Sequence, residues 1–325
     1  MSKLYLMGVV GNPIAHSLSP TIFNYFAKEF AINLSYKKIL ANIINNDFQN
    51  IITQFFNANG FALNITSPFK HQAYLLANSH SDDAKLSLSA NLLYCDHSIN
   101  ILSNVYSNKL KTWGHDKQQD IFPHKALNHE DIFLNNFGVG YSLIAGTTDG
   151  IGLYNDITYN CQLDISQKKI LIIGSGHVVP SIINTFLQHT NRSNISVFAR
   201  NITRLQYLLS RFKVNIISLE SLLMINKNDI FNKYDIIINT TPNHEDNNLI
   251  SYINAVKNEI IAYDISYSCT QENRFLSYMK NINKTTMLYN GLGMLIEQAK
   301  ATFTQLFNHI PNTKIVYKDL IKLIK

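Results

Sequence analysis

The stretch "KKILIIGSGHVVPSIINTF", Lys168 to Phe186, decides the fold. It reads as a strand, "KKILIIG", followed by a Gly174-x-Gly176 turn and a helix. Strand, glycine turn and helix together let a backbone approach a pyrophosphate at a helix N-terminus, so Gly174, Ser175, Gly176 and His177 are candidate cofactor contacts. The third glycine of the dinucleotide fingerprint is missing, with Val179 in its place, and the bulkier His177 follows Gly176.

Toward the C-terminus the alternation continues. "NISVFA" reads as a strand, "TRLQYLLSRF" as a helix, and "YDIIINTT" and "EIIAYDIS" as two further strands. Arg200 stands where an NAD-binding chain places an acidic residue for the ribose hydroxyls, and no Asp or Glu occurs between Asn191 and Phe212. Arg200 and Arg204 suit a 2′-phosphate, which points to NADP; the other reading is two surface arginines at a helix start. The last long segment, "GLGMLIEQAKATFTQLF", spaces Leu295, Ala299, Phe303 and Leu306 along one helical face.

Toward the N-terminus, residues 1 to about 85 also alternate: "LYLMGVVG", "PTIFNYFAKEF", "SYKKIL", "FQNIITQFFNA", "GFALNIT" and "PFKHQAYLLA" read βαβαβα. Such an order implies a mostly parallel sheet. In "GVVGNPIAHSLSPTIFNYF", Ser19 is expected to cap a helix whose first residue is Pro20, with Ile22, Phe26 and Phe30 on its buried stripe. Free N–H groups there favour an anion, and the hydroxyls of Ser17 and Ser19 can add donors. In "NITSPFK" the same design recurs, with Ser67 as expected cap, Pro68 first in the helix and Lys70 in its first turn. A lysine at the C-terminal end of a strand in an α/β sheet can give or take a proton, although a surface lysine on a short helix is the plain alternative.

Composition narrows the class. The chain has 325 residues, enough for two domains, and its 46% hydrophobic content is that of a globular protein. No apolar run approaches membrane-spanning length, and the start lacks a cleavage-site pattern, so a cytoplasmic protein is expected. Cys95, Cys161 and Cys269 stand far apart with no CxxC, which suggests reduced thiols and no cysteine metal site. The net charge of +6 is scattered, with no basic run interleaved with aromatics, so neither nucleic acid nor a membrane is an expected partner. A small anionic ligand gains modestly from such a field.

In this order the motifs resemble the shikimate dehydrogenase family over nearly the full length. "GNPIAHSLSP" is similar to that family's substrate-carboxylate loop, "NITSPFK" to its catalytic-lysine motif, "GTTDGIGL" to its Asn-Thr-Asp-Gly motif, and "GLGMLIEQA" to its C-terminal substrate helix. "DISY" falls between the cofactor strands and that helix. The resemblance implies NADP(H)-dependent, reversible reduction of 3-dehydroshikimate to shikimate, a step of aromatic amino-acid biosynthesis. Lys70 and Asp149 would be the catalytic pair. Ser17, Ser19, Asn64, Thr66, Asn91, Tyr267 and Gln298 would hold the substrate's carboxylate and ring hydroxyls, and Thr240 and Gly291 would join the cofactor contacts. Two alternatives stay open: a quinate/shikimate dehydrogenase using NAD, and a weakly active ligand-binding member.

The implied architecture is two α/β domains flanking an active-site cleft. Residues 1–148 plus 288–325 would form a mixed, mostly parallel substrate domain, and 149–287 a Rossmann-like NADP-binding domain, in a monomer or homodimer. The chain departs from the family pattern at Leu92, in a threonine position, at Thr147, in an asparagine position, and at Ala199-Arg200-Asn201. It also departs at "NTTPNHED", which lacks a following glycine. About 95–140 reads as an insertion. Its His97, His115, Asp116, His124 and His129 fit no zinc spacing and read as solvated, and no metal is expected. "NKLKTWGHD" makes Asp116 a distant rival to Asp149.

Overall fold

The computed structural model describes residues 3–44, 47–96, 142–224, 230–242, 249–268 and 272–324. The insertion at about 95–140, with its four histidines and Asp116, lies almost entirely outside the described residues, as does Cys269. Backbone contacts divide the chain into two compact units, Met1–Thr147 and Thr148–Lys325.

The first unit runs β1 (Tyr5–Gly11), α1 (Ser19–Glu29), β2 (Leu34–Leu40), α2 (Asp47–Asn57), β3 (Ala62–Ile65), α3 (Lys70–Leu76), β4 (Ser79–His80), α4 (Asp82–Ser87), β5 (Leu92–Asp96) and β6 (Ser142–Gly146). Among the described residues its six strands lie in the order β2-β1-β3-β5-β6-β4. β1 pairs in parallel with β2 and β3, whereas β5 is antiparallel to both β3 and β6. The sheet is thus mixed, as expected. Central β1 is buried from Met7 to Gly11 because helices cover both faces. On one face α2 sets Phe48, Ile52 and Phe56 against Val10, Leu63, Ile65 and Phe69. The four-residue spacing of Ile22 and Phe26 gives α1 its fully buried stripe.

The second unit opens with α5 (Asp149–Asn155), which loosens into a π turn over Asp156–Asn160. Then follow β7 (Ile170–Ile173), α6 (Val178–Phe186), β8 (Ile195–Ala199), α7 (Ile202–Phe212), β9 (Asn215–Ser218) and α8 (Leu219–Met224). The remainder is β10 (Ile236–Asn239), β11 (Ile261–Asp264), α9 (Arg274–Ile282), β12 (Met287–Asn290), α10 (Leu292–Phe307) and α11 (Thr313–Ile324). All pairings are parallel, in the order β12-β11-β10-β7-β8-β9. Counted from β7, this is the doubly wound order 3-2-1-4-5-6, which reverses direction between β7 and β10. Every residue of β7, β8, β10 and β11 is buried, because hydrophobic clusters fill both faces of the sheet.

The contact division departs from the expected allocation of residues 288–325, which group here with 148–287. The cause is α10, which lies along α5: the Thr148 and Thr302 hydroxyls are 3.2 Å apart, and a Cβ on Gly152 would sit 2.7 Å from that of Gln298.

Candidate functional site

In the first unit the expected residues gather at the C-terminal ends of β1 and β3. The loops after these strands are joined by the Asn12 N–H, which donates to the Ser67 carbonyl at 3.1 Å. Helix α1 starts one residue earlier than the sequence suggests. Ser19 is its first residue, Leu18 occupies the cap position, and the Ser17 hydroxyl accepts the Ser19 N–H at 3.3 Å. The same hydroxyl donates to Ser19 Oγ at 3.2 Å, so the two serines form one polar pair. Ser19 is thus helical and not the cap, and the cap residue Leu18 makes no side-chain capping bond.

Tyr36, in the middle of β2, donates to Asn64 Oδ1 on β3 at 2.8 Å. Asn64 Nδ2 in turn donates to the Asn91 carbonyl at 3.4 Å, and that carbonyl also takes the Ile65 N–H at 2.8 Å. Burial pushes the Tyr36 hydroxyl's pKa well up, a trend the Ser19 side chain moderates. Tyr36, Asn64 and the Asn91 backbone are therefore one connected set, and Ser17 and Ser19 are another. Tyr36 carries no motif signal.

Thr66 and Lys70 follow on the same chain. The Thr66 N–H bonds the Val10 carbonyl, and its own carbonyl accepts the Phe69 N–H at 3.1 Å in a turn. That turn takes up Ser67 and Pro68, so neither holds its expected place; α3 begins at Lys70 with Phe69 in the cap position and no side-chain cap. The Lys70 carbonyl accepts the Ala90 N–H at 2.9 Å, which brings the residue before Asn91 alongside the lysine.

In the second unit the glycine turn sits at the reversal point between β7 and β10. Gly174 has φ +111°, a conformation in which only glycine is unstrained, and a Cβ there would lie 2.5 Å from Thr240 Oγ1. Thr240 donates to the Ile173 carbonyl through both N–H and hydroxyl, at 2.9 and 2.7 Å, closing the two strand ends together. At Gly176 a Cβ would meet nothing within 4 Å. The open face there, beside Ser175, and the first turn of α6, which His177 precedes in the cap position, fit a dinucleotide pyrophosphate. Beyond β8, Arg200 is exposed and Asn201 caps α7 by accepting the Arg204 N–H at 2.9 Å. Both arginines thus lie at the strand end where the adenosine ribose of a dinucleotide belongs. Burial lowers the pKa of the half-buried Arg204 guanidinium.

Two buried acids organise the rest of this edge. Asp264, at the end of β11, accepts from Asn239 Nδ2 at 2.9 Å and from the Ser266 N–H and hydroxyl at 2.7 and 2.6 Å. It thereby holds the loop leading to Tyr267. Burial raises its pKa against the pull of those bonds. Asp156 accepts from the Tyr263 hydroxyl at 2.6 Å and from Asn160 Nδ2 at 2.8 Å. It packs against Gly293 at the start of α10, the helix that carries Gln298. Gly291 precedes that helix and donates to the Ser266 carbonyl at 3.0 Å. Asp149 is the first residue of α5, 1% exposed, with Thr148 in the cap position. The buried Thr147 hydroxyl finds no hydrogen-bond partner among the described residues. No group of three or more His, Cys, Asp or Glu among the described residues is placed to hold a metal ion.

Known proteins supply the family. Residues 9–93 match the shikimate dehydrogenase substrate binding domain, and residues 158–267 match the shikimate / quinate 5-dehydrogenase family. A shikimate dehydrogenase (NADP(+)) of Vesicomyosocius okutanii is 32% identical, covering 98% of this chain and 99% of its own. Another, from Legionella pneumophila strain Lens, is 30% identical over 96% and 97%. The Thermus thermophilus shikimate 5-dehydrogenase solved with NADP(H) and shikimate shares the fold, with a TM-score of 0.70 at 16% identity over 98% and 99% of the two chains. With two family matches in sequence order and relatives at this identity aligned nearly end to end, the chain belongs to the shikimate dehydrogenase family.

Proposed function

We propose that this chain is an NADP-dependent shikimate dehydrogenase, interconverting 3-dehydroshikimate and shikimate by transfer of a hydride and a proton. Relatives that carry this name along nearly the whole chain are the observation on which the reading rests. The serine, tyrosine and asparagine side chains of the first unit support it, since hydroxyl and amide donors suit the carboxylate of a small cyclic acid. So does the open glycine turn at the reversal point of a doubly wound sheet, which suits a dinucleotide.

When bound, NADPH supplies the hydride. Ser17 and Ser19 hold the carboxylate, and Asn64, Thr66, Asn91, Tyr267 and Gln298 hold ring hydroxyls. As the ketone oxygen gains negative charge, the Lys70 ammonium lies beside it and gives up a proton, leaving a neutral amine and a hydroxyl. Asp149 orients the lysine and a neighbouring substrate hydroxyl. In this reading Gln298 keeps residues 288–325 with the substrate-binding half, residues 1–148, and residues 149–287 hold the cofactor. Thr240 and Gly291 serve at its nicotinamide end, and Ser175 and His177 beside its phosphates.

Absorbance of reduced nicotinamide tests the proposal. Purified protein with shikimate and NADP should turn over, with NAD or quinate far less effective; turnover only with quinate and NAD overturns it. NADP is favoured by Arg200 and Arg204 and by the lack of a nearby acid. Replacing both arginines by alanine should raise KM for NADP by about 10- to 100-fold, since a hydrogen bond to a charged group contributes about 1.5–3 kcal/mol. KM for NAD should stay within about twofold. We place the enzyme in the cytoplasm as a monomer or homodimer. The free thiols of Cys95 and Cys161, whose pKa values burial pushes up to about 12, suit a reducing compartment. Among the described residues no helix is long and apolar enough to cross a membrane.

A further inference from the structure

Tyr36 has no place in the motifs that brought Ser17, Ser19 and Asn64 forward, yet its hydroxyl bonds Asn64. It lies on β2 opposite Met7, while Asn64 lies on β3 opposite Val9. Met7 and Val9 are two residues apart on β1, so Tyr36 and Asn64 stand on one face of the sheet with β1 between them. A tyrosine side chain is long enough to cross a single strand, and the ring is fixed by stacking on Phe23, with centroids 4.7 Å apart and planes 25° apart.

The direction of these bonds determines what Asn64 can offer a ligand. The tyrosine donates its proton to Asn64 Oδ1 at 2.8 Å, and the Ser19 side chain opposes the rise that burial gives the phenol's pKa. Asn64 Nδ2 faces the Asn91 carbonyl at 3.4 Å, a long bond that uses one of its two hydrogens. In the flipped amide Oδ1 would meet that carbonyl, acceptor against acceptor, and the tyrosine would lose its acceptor. Burial disfavours the phenolate, so the hydroxyl remains available as a donor.

We propose that Tyr36 is a positioning residue for substrate recognition, holding the Asn64 amide so that its second N–H points to the ligand and reads an acceptor oxygen there. The inference rests on the shikimate-binding reading of this site. Asn64 then recognises an oxygen lone pair and discriminates against a substrate that presents only a donor at that point.

A double-mutant cycle tests it, with shikimate turnover and calorimetric shikimate binding as readouts. Tyr36→Phe keeps the ring and its stacking and removes only the hydroxyl. KM and Kd for shikimate should rise about tenfold, kcat should change less than about threefold, and KM for NADP and the melting temperature should stay close to wild type. In an Asn64→Ala background the same change should alter shikimate affinity less than about twofold, because no amide is left to orient. Where Asn64→Ala binds too weakly to measure, Asn64→Ser provides the second background. Equal factors in both backgrounds would mean a merely structural role and overturn the proposal. So would an unchanged KM in Tyr36→Phe, with the shikimate reading intact. Wild-type protein that neither turns over nor binds shikimate overturns that reading and the inference with it.

Discussion

Lys70→Ala lowers kcat for shikimate about a thousandfold and leaves shikimate binding measurable. The side chain is asked to do two things at once, to give a proton and to place a positive charge beside the oxygen that receives it. Loss of a positioned proton donor costs about 10²–10⁴ in rate. Loss of one stabilising partner at a developing oxyanion costs about 10²–10³, and the two overlap because one group supplies both. The fold survives the change. Lys70 is held through its backbone, whose carbonyl accepts from Ala90, and it opens α3 with no side-chain cap to lose. Lys70→Arg restores the charge but not the rate, since a guanidinium holds its proton too tightly to give it up. The measurements are single-turnover and steady-state nicotinamide absorbance, calorimetric shikimate binding and thermal melting on the same preparations. A Lys70→Ala protein of near-normal rate removes Lys70 from the reaction.

Gly150→Val lowers stability by about 3 kcal/mol, at the upper end of the usual overpacking range, and the melting temperature by about 10 °C. Both glycines of the "DGIGL" run lie in α5, where flexibility is a cost. They are needed for space. A Cβ at Gly150 would sit 2.2 Å from the Ser181 carbonyl oxygen and 2.4 Å from Thr185 Oγ1, while Gly152 faces α10 at Gln298. The obstacle at Gly150 is backbone of α6, which cannot rotate aside as a side chain could, and the Gly150 N–H is also bonded to Ser181 Oγ at 3.0 Å. Gly176→Ala is the matching control. Nothing lies within 4 Å of its Cβ, so its melting temperature should stay near wild type and any loss should appear in NADP binding. Equal melting temperatures for the two variants would show that α5 does not need the close approach to α6.

Most of both sheets was legible in the sequence because each central strand is a short apolar run between punctuating residues. "ILII", "ISVFA", "IIIN" and "IAYD" can be buried strands in a parallel sheet and little else. The two edge strands of the second sheet were not. "NIIS" of β9 and "MLYN" of β12 are four residues long and only partly buried, with a polar residue at the end of each, so no alternation develops. β5 and β6 escaped for another reason. They are antiparallel neighbours separated by more than forty residues of chain, and sequence distance hides the pairing. In the site, the serines and Lys70 could be found because each sits where a strand turns into a helix. Tyr36 could not, since a tyrosine inside "LSYKKIL" reads as ordinary packing and its partner Asn64 is 28 residues away. The expected caps at Ser19 and Ser67 failed together, as propensity identifies a capping residue type but not which member of a turn takes the role. The bracing roles of Asp264, which opens "DISY", and of Asp156 were not legible, for the same reason as that of Tyr36. Their meaning lies in partners that only the fold brings near.

The register of β5 and β6 bears on how this gene can change. Asp96 and Ser142 are opposed partners in that ladder, so the chain leaves the sheet and returns to it on the same rung, with its two ends about 5 Å apart. The six-stranded sheet meets the same pair of ends whether two residues or dozens connect them. Adding or deleting codons in frame between them therefore leaves the Asp96–Ser142 rung where it is.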